Sequence, residues 1–374
     1  AYFKIWIVNF LLTIVTLGIY SAWAKVRKIK YMNQSTEYMG SRMDFHADPL
    51  PILFGRIIAV IMFGLYFWGG TIAPFLGFLG LVILAVALPF VFVKSLRFKT
   101  KNTSYRNVRF AFRGTVQEAY SIWIKYAWPF VAIAVLVYLT TFIFGEIPQV
   151  PRGDGRAAQA LYSNPTFIIQ AALGFINLIY IAYILPSFMS AVYCYIYNNI
   201  YYGGSKTSFE SDRKTILKDV FNPLYLAGIL MVVSLFIYLF AIQFMVKLGG
   251  VLFFTLLTLS TILFYLFIVY VSLLYPYLTI KYIWSRLRFD QFRTHINLPM
   301  GRFMWVTFSN SLAVALSLGL LYPWTAIRYR KLITEAKSLN ISDLDQFVAV
   351  ASEKQSALSE EVADIFDLDF EIGL

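Results

Sequence analysis

Two histidines, His46 and His295, and one cysteine, Cys194, are the chain's whole stock of near-neutral or soft titrating side chains. The histidines lie in separate polar loops, without the i, i+4 spacing of a metal site. A single cysteine supports neither a disulfide framework nor a thiolate centre. No G-x-S-x-G, H-E-x-x-H or Walker A pattern occurs, and Gly203-Gly204-Ser205 reads as a turn. Ionisable groups buried in an apolar run would mark a proton relay. None sits mid-run: Glu118 and Lys125 lie near the start of one, Lys247 near the end of another. The expectation is a chain that is not an enzyme, with no metal and no cofactor. What is left for polar work among the apolar residues is neutral, Thr16 and Ser317 among it, and the sharpest cases are Asn9 and Asn310.

Those four belong to a repeated stretch. Residues 9–27 read NFLLTIVTLGIYSAWAKVR and residues 310–328 read NSLAVALSLGLLYPWTAIR. Aligned without gaps, Asn9/Asn310, Thr16/Ser317, Gly18/Gly319, Trp23/Trp324 and Arg27/Arg328 coincide. A plain span needs about 20 apolar residues in one unbroken helix. Here a glycine breaks each stretch in the middle, which predicts two short helices folded into a hairpin. Two readings follow for the asparagines. In one they hydrogen-bond helix to helix. In the other, broken helices present Asn9, Thr16, Gly18, Asn310, Ser317 and Gly319 to a substrate path. Trp23 and Trp324 read as interface anchors.

The elements that must position these residues are membrane elements. The chain has 374 residues, 59% hydrophobic and 14% charged, against about a quarter charged in a soluble domain. Spans are expected near 51–69, 72–95, 119–144, 166–197, 223–246 and 250–284. A signature recurs through them: Pro89 with Phe90 and Lys94, Pro276 with Tyr277 and Lys281, Pro323 with Trp324 and Arg328, and a weaker copy at Pro186. A proline near a helix end would bend the helix while the aromatic and the base anchor it at the interface. On this reading Arg27, Lys94, Lys281 and Arg328 are candidates for lipid headgroups. The polar loops 25–51, 94–116, 198–219 and 281–300 are basic and rich in Tyr and Phe, and their alternation predicts small strands or hairpins at the membrane surface.

Charge sets the expected orientation. Of 32 Lys and Arg, only Arg152, Arg156 and Lys247 fall on the side opposite the polar loops, so the loop side is expected in the cytoplasm. This positive-inside bias accounts for the net charge of +12 without nucleic acid. The fold class is then an all-α polytopic membrane protein. It has six full transmembrane helices in three hairpins, two terminal re-entrant or short helical hairpins, and both termini in the cytoplasm. Residues 1–334 form the membrane domain. Residues 335–374 form an acidic tail carrying ten acids and two lysines, which could fold back on the basic loops or bind a protein partner. The sequence carries no signal for a homo-oligomer.

The segments Phe3–Asn9 and Thr16–Ala24, the basic-Tyr run Arg27–Tyr31, and Phe366-Asp367-Leu368-Asp369 resemble the YjgN family of bacterial inner-membrane proteins. The resemblance implies an inner-membrane, multi-pass protein of bacterial origin and brings no activity with it. The functional expectation is a pore- or carrier-type transporter of a neutral, zwitterionic or amphiphilic solute. The alternative is a non-catalytic scaffold or lipid-organising protein that binds anionic lipid and a partner through its basic face. Dry packing around Asn9 and Asn310 would favour the alternative.

Overall fold

The computed structural model describes residues 1–145, 164–226, 228, 251–290, 292–339, 345 and 347–353. Both end segments are helical hairpins. Helix α1 (Tyr2–Val15) turns into α2 (Ser21–Gln34), and near the other end α9 (Met300–Leu316) turns into α10 (Tyr322–Ala336). The two turns match atom for atom. The Gly18 and Gly319 amides each reach back to a carbonyl five residues earlier, Thr13 and Val314, both at 2.8 Å. Leu17 and Leu318 adopt φ of 51° and 49°, and Gly18 and Gly319 take 93° and 92°, the Schellman way of ending a helix. The Thr16 and Ser317 hydroxyls then accept from the amides of Tyr20 at 2.9 Å and Leu321 at 3.0 Å, which starts the second helix. Pro323 sits in the first turn of α10, where a missing N–H costs nothing.

Between these ends run α3 (Pro49–Ile72), α4 (Pro74–Lys101), α5 (Val116–Phe144), α6 (Pro165–Asn198), a single turn α7 (Arg213–Ile216) continuing as a π-helical turn, and α8 (Val251–Arg286). Helix α3 packs on α4 and α5 on α6, as expected of hairpins. At Gly80 an added Cβ would come within 2.9 Å of the Tyr66 backbone, so the small residue sets how closely α3 and α4 approach. Among the described residues four stretches are long and apolar enough to cross a bilayer: Pro49–Gly69, Leu79–Lys101, Pro165–Asn198 and Thr261–Arg286. The expected count of six is thus met for four. The expected span 119–144 lies on α5, and 223–246 falls almost wholly outside the described residues. The prolines also differ from expectation. Pro89, Pro186 and Pro276 stand inside α4, α6 and α8, which continue past them, rather than near helix ends.

The largest departure from an all-α reading is a single sheet. Strands β1 (Glu37–Tyr38), β2 (Ser41–Phe45), β3 (Thr103–Tyr105), β4 (Val108–Phe112), β5 (Ile200–Tyr202), β6 (Ser205–Phe209), β7 (Leu287–Phe289), β8 (Phe292–Ile296) and β9 (Lys337–Leu339) join in sequence order. Every neighbouring pair is antiparallel. Each expected surface hairpin therefore exists, and each also pairs with the next across an intervening helical hairpin. At most 17% of the most apolar window of any crossing helix is buried. The sheet, with the clusters where helix ends meet it, joins the membrane hairpins to one another. Those clusters centre on Phe45, Phe112 with Val93, Phe209 with Ile216, and Phe303 with Leu332.

Candidate functional site

The four β-hairpins are copies of one design. In sequence each has an aromatic followed four positions later by a base: Tyr38 and Arg42, Tyr105 and Arg109, Tyr202 and Lys206, Phe289 and Arg293. Met39 and Gly40, and Arg106 and Asn107, all have positive φ, the type I′ geometry whose twist suits a tight hairpin. The aromatics also tie one copy to the next. The Tyr105 hydroxyl donates to the Tyr38 carbonyl at 2.7 Å, and the Tyr202 hydroxyl donates to the Tyr105 carbonyl at 2.9 Å. Sequence reasoning noted basic, Tyr-rich loops but missed this register. The signal was the base four residues after an aromatic, with turn formers between.

Strand alternation separates two chemistries. One face presents Tyr38, Met43, Tyr105, Phe110, Tyr202 and Phe289 to a cavity of about 530 Å³. The cavity is lined from both sheet edges, by Glu37 and Tyr38 of β1 and by Lys337–Leu339 of β9, so the sheet curls until its edges face one space. The opposite face carries Arg42, Arg109, Lys206 and Arg293, all exposed, with Arg288 directly across from Arg293. Arg286, Arg288 and Arg293 also line a cleft of about 630 Å³ with Ser211 and Thr215.

The beginning of the acidic tail folds back onto the aromatic face. Residues 347–353 are helical. Phe347 stacks on Tyr202 with ring centres 5.8 Å apart and meets Phe292 edge-on at 5.6 Å. Ala351 is fully buried with Val108 and Tyr202. Asp345 pairs with the Arg106 guanidinium, which raises the arginine's pKa through that hydrogen bond. Tyr202 itself is pushed up by burial and by the neighbouring Tyr105.

The residues singled out in the repeated end segments sit elsewhere. Asn310 is buried; its amide donates to the Thr325 carbonyl at 3.2 Å, and its oxygen accepts from Arg328 at 3.1 Å. Arg328 also donates to Ser309 at 2.8 Å, so one arginine and one asparagine clamp α9 to α10. Asn9 is equally buried, but its side-chain oxygen has no partner, and Arg27 is exposed. Neither asparagine lines the two large cavities. Thr16, Gly18, Ser317 and Gly319 build the turns described above. The two hairpins meet: Lys28 donates to the Tyr322 hydroxyl at 2.5 Å, and Arg330 donates to Asn33 and Thr36, both at 3.0 Å.

The proline signature has a local cause. The aromatic and the base are four residues apart on a helix, which puts the cation over the ring. Lys94 lies 5.8 Å from the Phe90 centroid, Lys281 5.9 Å from Tyr277, and Arg328 5.1 Å from Trp324. Trp23 stacks on Tyr20 instead, at 6.2 Å.

A chain with apolar crossing helices held by a four-copy surface sheet is a multi-pass membrane protein. It matches, over residues 1–365, the family described as bacterial protein of unknown function (DUF898), and belongs to that family. Among its relatives is the inner membrane protein YjgN of Salmonella typhimurium, 31% identical over 150 residues, which are 39% of this chain and 36% of the relative. The Escherichia coli K12 protein of the same name is 24% identical over 223 residues, 58% of this chain and 52% of that one. The chain thus matches about half the length, or less, of these curated relatives. No solved structure matches it.

Proposed function

We propose that this chain is a non-catalytic inner-membrane protein that organises anionic lipid, and a protein partner, through the basic outer face of its sheet. That face lies at the cytoplasmic surface, with both termini on the same side. The observation that carries the reading is the repeated register that places Arg42, Arg109, Lys206 and Arg293 on one exposed surface. Bases near an anionic leaflet contribute about 1 kcal/mol each. Arg288 and Arg293 stand directly opposite on paired strands, where like charges destabilise unless an anion lies between them. Arg27, Lys94, Lys281 and Arg328 add cations on the helices that lead into or out of the sheet. The acidic tail is the segment best suited to a protein partner, since part of it already packs by aromatic and ionic contacts. The test is the lipid retained by purified protein. Changing Arg42, Arg109, Lys206 and Arg293 together to Gln should lower the ratio of phosphatidylglycerol to phosphatidylethanolamine bound. An unchanged ratio would count against the proposal.

A pore or carrier reading keeps one supporting observation, the unpaired buried oxygen of Asn9. It requires solute flux in liposomes that Asn9→Leu and Asn310→Leu abolish. The clamp geometry of Asn310 instead favours flux-independent destabilisation.

A further inference from the structure

We infer that the concave aromatic face of the sheet binds a single-chain anionic amphiphile, a long-chain carboxylate. Its head lies against Lys337 and Arg330, and its chain runs along Tyr105, Tyr202, Phe289 and Trp284. This site is separate from the lipid-organising outer face and stands or falls without it.

The cavity holds about 530 Å³, within the range of sites for one drug-sized ligand. Its wall is aromatic because the same position of successive hairpins, Tyr38, Tyr105, Tyr202 and Phe289, points inward, and Phe347 of the tail closes one side. A smaller cavity of about 280 Å³ shares Glu37, Thr334 and Glu335 with it and is also lined by Arg330 and Lys331. The pair sets charged side chains, at the seam of the two terminal hairpins, beside an aromatic interior. That is the shape of an amphiphile.

Charge decides the sign of the head. The two carboxylates in the lining already have cations: Glu335 lies 3.8 Å from Arg302 and 3.7 Å from Lys331, and Glu37 lies 4.0 Å from Arg42. Lys337 has no carboxylate within 4.0 Å among the described residues, and its ammonium sits 4.2 Å from the centre of the Trp284 ring. Arg330 is hydrogen-bonded to neutral groups, Asn33 and Thr36. Burial, and then the nearby Arg330, push the Lys337 pKa down to about 8. Two neighbouring cations, partly buried and without a counter-charge, are costly. A cationic ligand would raise that cost, a neutral one would leave it, and an anionic head shared between the two lowers it. The cavity has room for one chain rather than two, which selects a free long-chain acid over a diacyl lipid.

The experiment uses the full chain in nanodiscs of phosphatidylcholine and a palmitate analogue carrying a diazirine on its chain. Crosslinked peptides should come from the strands around Tyr105, Tyr202 and Phe289, and labelling should be competed by unlabelled palmitate. Lys337→Gln should weaken that competition about tenfold or more, while Lys337→Arg, which keeps the charge, should preserve it and so control for misfolding. Labelling confined to the membrane helices overturns the proposal. So does stronger competition by hexadecyltrimethylammonium or by lysophosphatidylglycerol than by palmitate, as does equal competition in Lys337→Gln and the parent chain.

Discussion

Gly203→Ala should release the tail from the sheet without altering a single tail residue. Gly203 stands at a hairpin turn with φ of 55°, and a Cβ built there would run into the Ala351 backbone carbonyl. Backbone cannot swing aside as a long side chain can, so the tail must move. Holding an L-residue in the left-handed region adds about 1–2 kcal/mol of local strain, but that strain falls on the turn. The docking it opposes is of similar size. Burying a Phe contributes about 1.5–3 kcal/mol, and the stack of Phe347 on Tyr202 adds about 0.5–1.5 kcal/mol. Losing about 3 kcal/mol would shift the docked-to-free ratio by roughly a hundredfold. Hydrogen exchange at residues 347–353 reads this directly, with protection falling by about two orders of magnitude. Gly40→Ala is the matched control, because Gly40 has φ of 76° at the equivalent turn and nothing within 4 Å of the added carbon. If the two substitutions loosen the tail equally, or Gly203→Ala leaves its protection intact, the close approach is not what limits docking and the reasoning fails.

Further expectations follow from the same geometry. Asn310→Leu removes the bonds to Thr325 and Arg328 and should destabilise by about 0.6–2 kcal/mol, and a double-mutant cycle with Arg328→Leu should show strong coupling. Thermal denaturation in detergent checks both. Gly18→Ala and Gly319→Ala should each cost about 1–2 kcal/mol, and by similar amounts, since the two turns share one geometry. Stability should rise as pH climbs from about 8 toward 10. There the unfolded chain still holds the Lys337 proton that the folded chain has already released. Lys337→Met should flatten that rise in a pH series of melts.

What the sequence reveals depends on how far apart the partners lie. The turns at Gly18 and Gly319 were legible because every atom that makes them lies within about ten residues, and the two copies check one another. The paired spans around Pro74 were legible for the same reason. The strands were visible as alternation in 108–114, but their union was not. Tyr105 reaches back 67 residues to Tyr38, and Tyr202 reaches back 97 to Tyr105. Apolar helices in between carry no trace of that register. The Asn–Arg clamp was half legible. Asn9 and Arg27 repeat Asn310 and Arg328 as letters, yet only the second pair closes. The proline signature was read as anchoring, although its spacing of four residues already encoded the cation-over-ring contact.

The strand order, strictly that of the chain, has a consequence for biogenesis. As a ribosome feeds the membrane, each new β-hairpin finds its neighbour already made, and only the strand at the growing edge waits for the next segment. Until the last part emerges, the nascent aromatic surface has no cover, and the growing edge is open to pairing with another chain. The tail follows every strand in the chain and is the piece that covers part of that surface. Synthesis of the tail would therefore be the step at which this sheet stops being sticky.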